Sequence, residues 1–198
     1  MPESKRPGEG ISLVVLAGGK SSRMGSDKSD LPIGESTFLE WQIQKGRKLG
    51  IADIQVSGYR GACCSAPVTP DRFPGKGPLG GLESCFRLAR ERQVLVLGVD
   101  IPLVPVGELE RLVKQSLEKE KRAMILRHGG KEEPLVGVYD RDLADEMLAE
   151  IRERKGSVFA FLNRIGYDIC DSAAPEECFA NMNRPEDYRR IAQEVSNE

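Results

Sequence analysis

The sequence predicts an α/β protein built on a doubly wound, mostly parallel sheet with helices on both faces. Three observations predict it. Short apolar runs rich in β-branched residues alternate with segments of helical period along most of the chain, as βα units require. The clearest of these runs close on Gly18-Gly19 and on Asp100, and in open α/β sheets ligands sit beyond the carboxyl ends of the strands. The 198 residues show no strong shift in composition, which suits one domain with a sizeable core. Residues 1–10 are polar and contain Pro and Gly, so a flexible N-terminal tail is expected there, with residues 11–198 as the single domain.

The first run, Leu13-Val14-Val15-Leu16, is short, partly β-branched and followed by glycines, so it reads as a buried strand. A basic, hydroxyl-bearing loop follows, with Lys20, Ser21, Ser22, Arg23, Gly25 and Lys28. Thr37-Phe38-Leu39-Glu40 matches a capping box and opens a helix. Phe38, Trp41, Lys45 and Leu49 share one face of it, Lys45 laying its stem along the stripe, and Gly50 is a stop. Residues 53–57 (DIQVS) read as the next strand, completing a βαβ unit.

Residues 59–77 lack periodicity and are rich in Gly, Pro and Cys. An irregular stretch of this length in a compact domain is more often functional, and it holds Asp71. After Gly77-Pro78-Leu79-Gly80-Gly81 a helix is expected, with Leu82, Phe86 and Ala89 on one side. Residues 93–99 (QVLVLGV) are the most strand-like in the chain and end at Asp100. Pro105 can open the following helix, because a first-turn proline gives up no needed N–H; its stripe is Leu109, Leu112, Val113 and Leu117. Residues 122–127 and 133–139 read as strands, the second with Pro134 at its start. Leu143, Ala144, Met147, Leu148 and Ile151 mark a helix, residues 157–163 a shorter one and residues 167–170 a short strand. A last helix starts near Pro185, with Tyr188, Ile191, Ala192 and Val195 inward.

Composition narrows the function. Lys plus Arg is 29, Asp plus Glu is 31 and the formal net charge is −2, which argues against a nucleic-acid binder, since that needs a basic face. No apolar run approaches the ~20 residues of a membrane span, and no secretory signal core is present in the opening residues. The five cysteines, Cys63, Cys64, Cys85, Cys170 and Cys178, are odd in number and form no CxxC, so free thiols in a reducing cytoplasm are expected. Small buried apolar residues is the plain reading of all of them.

A buried strand ending in a glycine pair and then cations is suited to phosphates, because glycine lets N–H groups approach an anion while Arg and Lys neutralise it. The loop is not a P-loop: counting back from Gly19-Lys20-Ser21, the required first glycine falls at Val14. Nor is it a dinucleotide fingerprint, because Gly19 is followed two places on by Ser21. Gly18-Gly19, Ser57 and Asp100 all lie at expected strand ends and should meet on one edge. Asp100 can be a strand cap, an Asx-turn residue before Pro102 or, beside a phosphate loop, a Mg²⁺ ligand; Mg²⁺ at phosphates takes one or two protein oxygens. A second oxygen can come from Asn181-Met182-Asn183, where Asn183 also reads as a helix N-cap. His128, the only histidine, precedes Gly129-Gly130 and reads as an exposed or hydrogen-bonded turn residue. With no Ser-His-Asp or Cys-His set, transfer to an existing phosphate fits best: a phosphate monoester, with a second pKa near ~6, already carries its attacking charge.

Leu16-Ala17-Gly18-Gly19-Lys20-Ser21-Ser22-Arg23-Met24-Gly25-Ser26-Asp27-Lys28 resembles the signature of the molybdenum cofactor guanylyltransferases, also called molybdopterin-guanine dinucleotide synthases. Weaker matches follow in order at Asp71, residues 77–81, Asp100-Ile101-Pro102, Pro134-Leu135 and residues 181–187. The resemblance implies a Rossmann-like nucleotidyltransferase fold and transfer of GMP from GTP to the terminal phosphate of molybdopterin, with Mg²⁺ as cofactor and pyrophosphate released. It implies nucleotide contacts at Leu16, Ala17, Gly18, Gly19, Lys28, Ser57, Asp71 and Asp100, with Arg23, Lys28 and Asp100 catalytic. Asp100 and Asn183 would hold the metal, and Asn181 and Asn183 would meet molybdopterin. Other molybdenum-cofactor biosynthesis proteins and acceptor molybdoenzymes are the implied partners. Two positions depart from the pattern: Ser57 stands where many members have asparagine, and Gly80 where alanine is common. The alternatives are a cytidylyltransferase of the same pathway, a sugar-phosphate nucleotidyltransferase, or a GTP- or cofactor-binding partner without turnover. The Asn-x-Asn run favours the guanylyl branch over the Asp-x-Asp of the cytidylyl branch.

Overall fold

The computed structural model describes residues 6–18, 28–61, 63–119, 122–153, 157–182 and 184–196. Its centre is a seven-stranded sheet in the order β5-β4-β1-β6-β8-β7-β9. The strands are β1 (Ile11–Leu16), β4 (Asp53–Ser57), β5 (Val68–Thr69), β6 (Gln93–Gly98), β7 (Ala123–His128), β8 (Lys131–Asp140) and β9 (Asp168–Asp171). Only β8 runs against its neighbours β6 and β7; the other pairings are parallel. A separate two-stranded ribbon, β2 (Pro32–Ile33) and β3 (Ser36–Thr37), turns at Gly34. The expected doubly wound, mostly parallel fold is the one found.

Alternation along the strands separates the two faces. Leu13 and Val15 of β1 pack with α1 (Phe38–Leu49) and α3 (Val106–Lys119). Val14 and Leu16 pack with α2 (Pro78–Phe86), α4 (Ala144–Glu153) and α5 (Val158–Ile165). The last helix, α6 (Pro185–Ser196), covers a third cluster in which Ile191 meets Ile33, Phe38 and Met182. Thr37 caps α1, its Oγ1 accepting the Glu40 N–H at 3.2 Å, and Gly50 closes it at φ 86°. Gly46 lets α1 sit low on the sheet: a Cβ there would lie 2.4 Å from Leu13 Cδ2.

Several local expectations are corrected. The stretch read as irregular contains β5, whose two residues extend the sheet beside Val56 and Ser57; periodicity cannot register in so short a strand. Pro134 does not start its strand but lies inside β8, where the pairing with β7 shifts register between Ile125 and Leu126. That irregularity is what tolerates a residue with no N–H to give. Helix α2 ends before Ala89, and Leu117 is 44% exposed instead of joining the inward stripe of α3. Of the cysteines only Cys85 and Cys170 are buried; Cys63 is exposed, and none of the five forms a disulfide. In the expected tail, Gly8 is buried and donates its N–H to Leu49 O at 2.9 Å.

Candidate active site

Register brings the expected strand ends together. Leu16 is paired with Ser57 on one side and Gly98 on the other, so β1, β4 and β6 end level. Beyond that edge Ala17 and Gly18 both donate their N–H groups to Ser57 O, at 3.0 and 3.2 Å, while Leu16 O accepts from Val99. The N–H groups of Ala17 and Gly18 and the Leu16 carbonyl are thus engaged within the fold, which fixes the backbone of this turn. Gly18 crosses Gly58, which is at φ 76°, so closely that a Cβ on Gly58 would lie 2.7 Å from Gly18 Cα. Glycine is required at position 58 by both its φ and this contact, and a Cβ on Gly18 would be tight at 3.0 Å from Gly58 Cα.

Ser57 stands at the expected strand end, but its side chain is 3% exposed. A Cβ on Gly81 would lie 2.2 Å from Ser57 Oγ. The hydroxyl is thus tucked beneath α2. The glycine pair at the start of α2 makes room for a carboxylate as well, since Asp71 Oδ1 would be 3.1 Å from a Cβ on Gly80. Asp71 accepts the Phe73 N–H at 2.8 Å, and α2 has no side-chain cap of its own. An acidic group at the bare N-terminal turn of a helix is in a favourable field.

Asp100 follows β6 and is half-buried. Its carboxylate folds back over Gly98, where a Cβ would lie 2.5 Å from Oδ1. Burial pushes this carboxyl above the usual carboxylate range; Lys28 opposes the shift, Glu133 adds to it and Lys131 opposes it. Burial lowers the Lys28 ammonium, while Asp100 and Asp187 raise it. Met182 joins these two residues: its N–H donates to Asp100 O at 2.8 Å, and its own carbonyl accepts Lys28 Nζ. Asn181, half-buried, is next in the chain. Gly19, Arg23 and Asn183 lie outside the described residues.

Some stitches of the site had no legible signal. Ser29 Oγ donates to Ala17 O at 2.8 Å, and Tyr59 OH donates to Asp30 Oδ1 at 2.7 Å, so the turn at Lys28–Asp30 is fixed beside the end of β1. Burial pushes the Tyr59 hydroxyl up to about 12, and its bond to Asp30 adds to the shift. His128 is a buried strand residue, stacked on Phe179 with ring centroids 4.0 Å apart and Nε2 3.3 Å from Glu133 Oε1. A serine, a tyrosine and a histidine acquire these roles only through partners distant in sequence.

Among the described residues no group of three or more His, Cys, Asp and Glu side chains could cage a metal. A hard cation that keeps water and phosphate oxygens in its shell needs only one or two carboxylates. The single carboxylate of Asp100, seated over Gly98 at the open edge, suits that coordination and would not suit an all-protein cage.

The family described as the MobA-like NTP transferase domain matches residues 13–165. A probable molybdenum cofactor guanylyltransferase of Carboxydothermus hydrogenoformans is 31% identical over 190 residues, covering 92% of this chain and 95% of its own. The chain belongs to the molybdenum cofactor guanylyltransferase family. As a member of it, the protein is a nucleotidyltransferase. The fold agrees: the molybdopterin-guanine dinucleotide biosynthesis protein A of Archaeoglobus fulgidus superposes with a TM-score of 0.79 at 22% identity, covering 94% of this chain and 100% of that one. A Mycobacterium tuberculosis protein solved in complex with manganese has a TM-score of 0.65 at 17% identity, covering 92% and 98%. In this guanylyltransferase-family chain, no helix among the described residues is long and apolar enough to cross a membrane.

Proposed function

We propose that the protein transfers GMP from GTP to the terminal phosphate of molybdopterin, making molybdopterin guanine dinucleotide and releasing pyrophosphate. The observation that carries this reading is the joint of Lys28, Met182 and Asp100 at the level ends of β1 and β6. A cation and the main chain of an aspartate, both tied to the backbone of one residue, suit a site that must hold a polyphosphate.

A phosphate oxygen of the acceptor attacks the α-phosphorus of GTP. The bond from that phosphorus to the bridging oxygen breaks, and pyrophosphate leaves with the electron pair. The attacking oxygen is already ionised near neutral pH, so no general base is required. Positioning and charge neutralisation do the work. Lys28 and Arg23 neutralise the phosphates. Asp100, with Asn183 as a second oxygen, would hold Mg²⁺, which supplies charge neutralisation on the phosphates when bound. Backbone groups of Leu16–Gly18 and Gly19 would contact the nucleoside, and Asp71 would help to hold it. Asn181 and Asn183 would meet the molybdopterin phosphate.

The base is read by backbone near the end of β4 more than by the Ser57 hydroxyl, which is buried under α2. Residues 11–198 act as a single domain in this reading. The free cysteines fit a cytoplasmic setting, with other molybdenum-cofactor biosynthesis proteins and acceptor molybdoenzymes as partners.

The test is incubation of protein, Mg²⁺ and molybdopterin with GTP, CTP or ATP in turn, following pyrophosphate. Release with GTP alone is expected. Release with CTP and not GTP overturns the guanine assignment, and release with none overturns the transferase reading.

A further inference from the structure

The loop that carries Asp100 is gripped from behind by one face of α1. Gln42 Nε2 donates to Gly98 O at 2.6 Å and to Ile101 O at 3.2 Å. Trp41 Nε1 donates to Pro102 O at 3.0 Å. Lys45 Nζ donates to Pro102 O and, at 2.8 Å, to Val104 O. These carbonyls bracket Asp100 on both sides. Pro102 and Pro105 leave the segment short of N–H donors, and β6 has already ended at Gly98. Without the α1 side chains these buried carbonyls would lack partners.

The arrangement is expensive as packing. Gln42 and Lys45 are 1% and 6% exposed, and burying an amide and an amine costs hydration that apolar residues of the same length would not lose. An apolar side chain would fill the space but leave the loop's carbonyls unpaired. The same helix also holds the other half of the site. At its N-terminus Phe38 N–H donates to Leu31 O at 3.1 Å, and Leu31 N–H donates to Lys28 O at 3.2 Å. Helix α1 is therefore the common base for the Lys28 turn and the Asp100 loop.

We propose that Gln42 and Lys45 are positioning residues that set the site's affinity for its divalent cation by fixing the direction of the Asp100 carboxylate, without themselves touching cation or nucleotide. The proposal rests on the reading above that Asp100 holds the metal.

The test compares wild type with Gln42→Met, Lys45→Met and Trp41→Phe, with Asp100→Asn as reference. Mn²⁺ binding in the presence of GTP is followed by electron paramagnetic resonance, Mg²⁺ activation by pyrophosphate release, and folding by thermal melting. Gln42→Met and Lys45→Met should raise the metal dissociation and activation constants about 10-fold, the lower end of what outer-shell partners command. Excess Mg²⁺ should restore most of kcat, and GTP affinity measured without metal should stay as in wild type. Trp41→Phe, which loses a single N–H and keeps its packing, should shift the same constants less, and it carries the test if either methionine variant does not fold. Unchanged metal constants in folded variants, or a fall in kcat that excess Mg²⁺ does not restore, overturn the proposal. Asp100→Asn should lose the bound Mn²⁺. If it keeps it, the metal reading of Asp100 fails and takes this proposal with it, an outcome distinct from a failure of the α1 variants alone.

Discussion

Lys28 and Asp100 are joined through a single backbone unit, that of Met182, which takes the Lys28 ammonium on its carbonyl and gives its N–H to the Asp100 carbonyl. The residue between them is fully buried under α6 with Ile33, Phe38 and Ile191. The Lys28 ammonium and the Asp100 main chain are thus tied to one another through a buried residue; for the transfer proposed above, such a link is a form of preorganisation.

Lys28→Ala should cost about 2.7–4 kcal/mol of transition-state stabilisation, or roughly 10²–10³ in kcat, by analogy with removal of one oxyanion donor. Pyrophosphate release under saturating GTP and Mg²⁺ measures it. Near-wild-type turnover would take Lys28 out of the mechanism.

Asp100→Ala should abolish Mg²⁺-dependent turnover while leaving the fold intact. Because burial raises this carboxyl above its unfolded value, the folded state binds the proton more readily than the unfolded one, so the group's contribution to stability falls as pH rises through that window. Its removal should therefore leave the melting temperature at neutral pH equal to wild type or higher. A clear drop in melting temperature would instead make Asp100 a structural residue.

Burial lowers Lys45 from an ordinary value of 10.5 to about 7. Between those values the unfolded chain binds the proton and the folded chain does not, so stability should rise with pH across the window. Urea unfolding at pH 7 and pH 9 tests the slope. Lys45→Met should flatten it, and an unchanged slope in that variant would assign the effect to another group.

Gly81→Ala should destabilise the fold by about 1–3 kcal/mol, the usual cost of overpacking, since its Cβ would meet Ser57 Oγ at 2.2 Å. Adding Ser57→Ala should recover part of the loss, because the hydroxyl is the nearest obstacle and the Ser57 Cβ would be 3.3 Å away. Chemical denaturation of the single and double variants gives the coupling. Additive losses would mean that the two residues do not press on each other.

Much of this was legible in the chain because it is local. A β-branched run that stops at glycine, a capping threonine three residues before glutamate, and an aspartate closing β6 each carry their physics within a few residues. That is why the alternation, the shared edge of the strand ends and the places of Gly18 and Asp100 could be read without coordinates, whereas Asp71 stood out only through the family resemblance. Pro134 shows the limit of local reading: its place inside β8 depends on a register shift against β7.

By itself the sequence determined the fold class, the sheet edge on which Gly18, Ser57 and Asp100 meet, and the signature loop that marks the family. Only the tertiary structure decided that the Ser57 hydroxyl lies under α2, that Tyr59 anchors Asp30, that Trp41, Gln42 and Lys45 grip the Asp100 loop, and that Met182 links Lys28 to Asp100. Lys28 and Met182 are 154 residues apart, and Lys45 and Pro102 are 57 apart. Periodicity and capping record what a residue does to its near neighbours. A hydrogen bond across such separations exists only once sheet order and helix packing have brought the partners together.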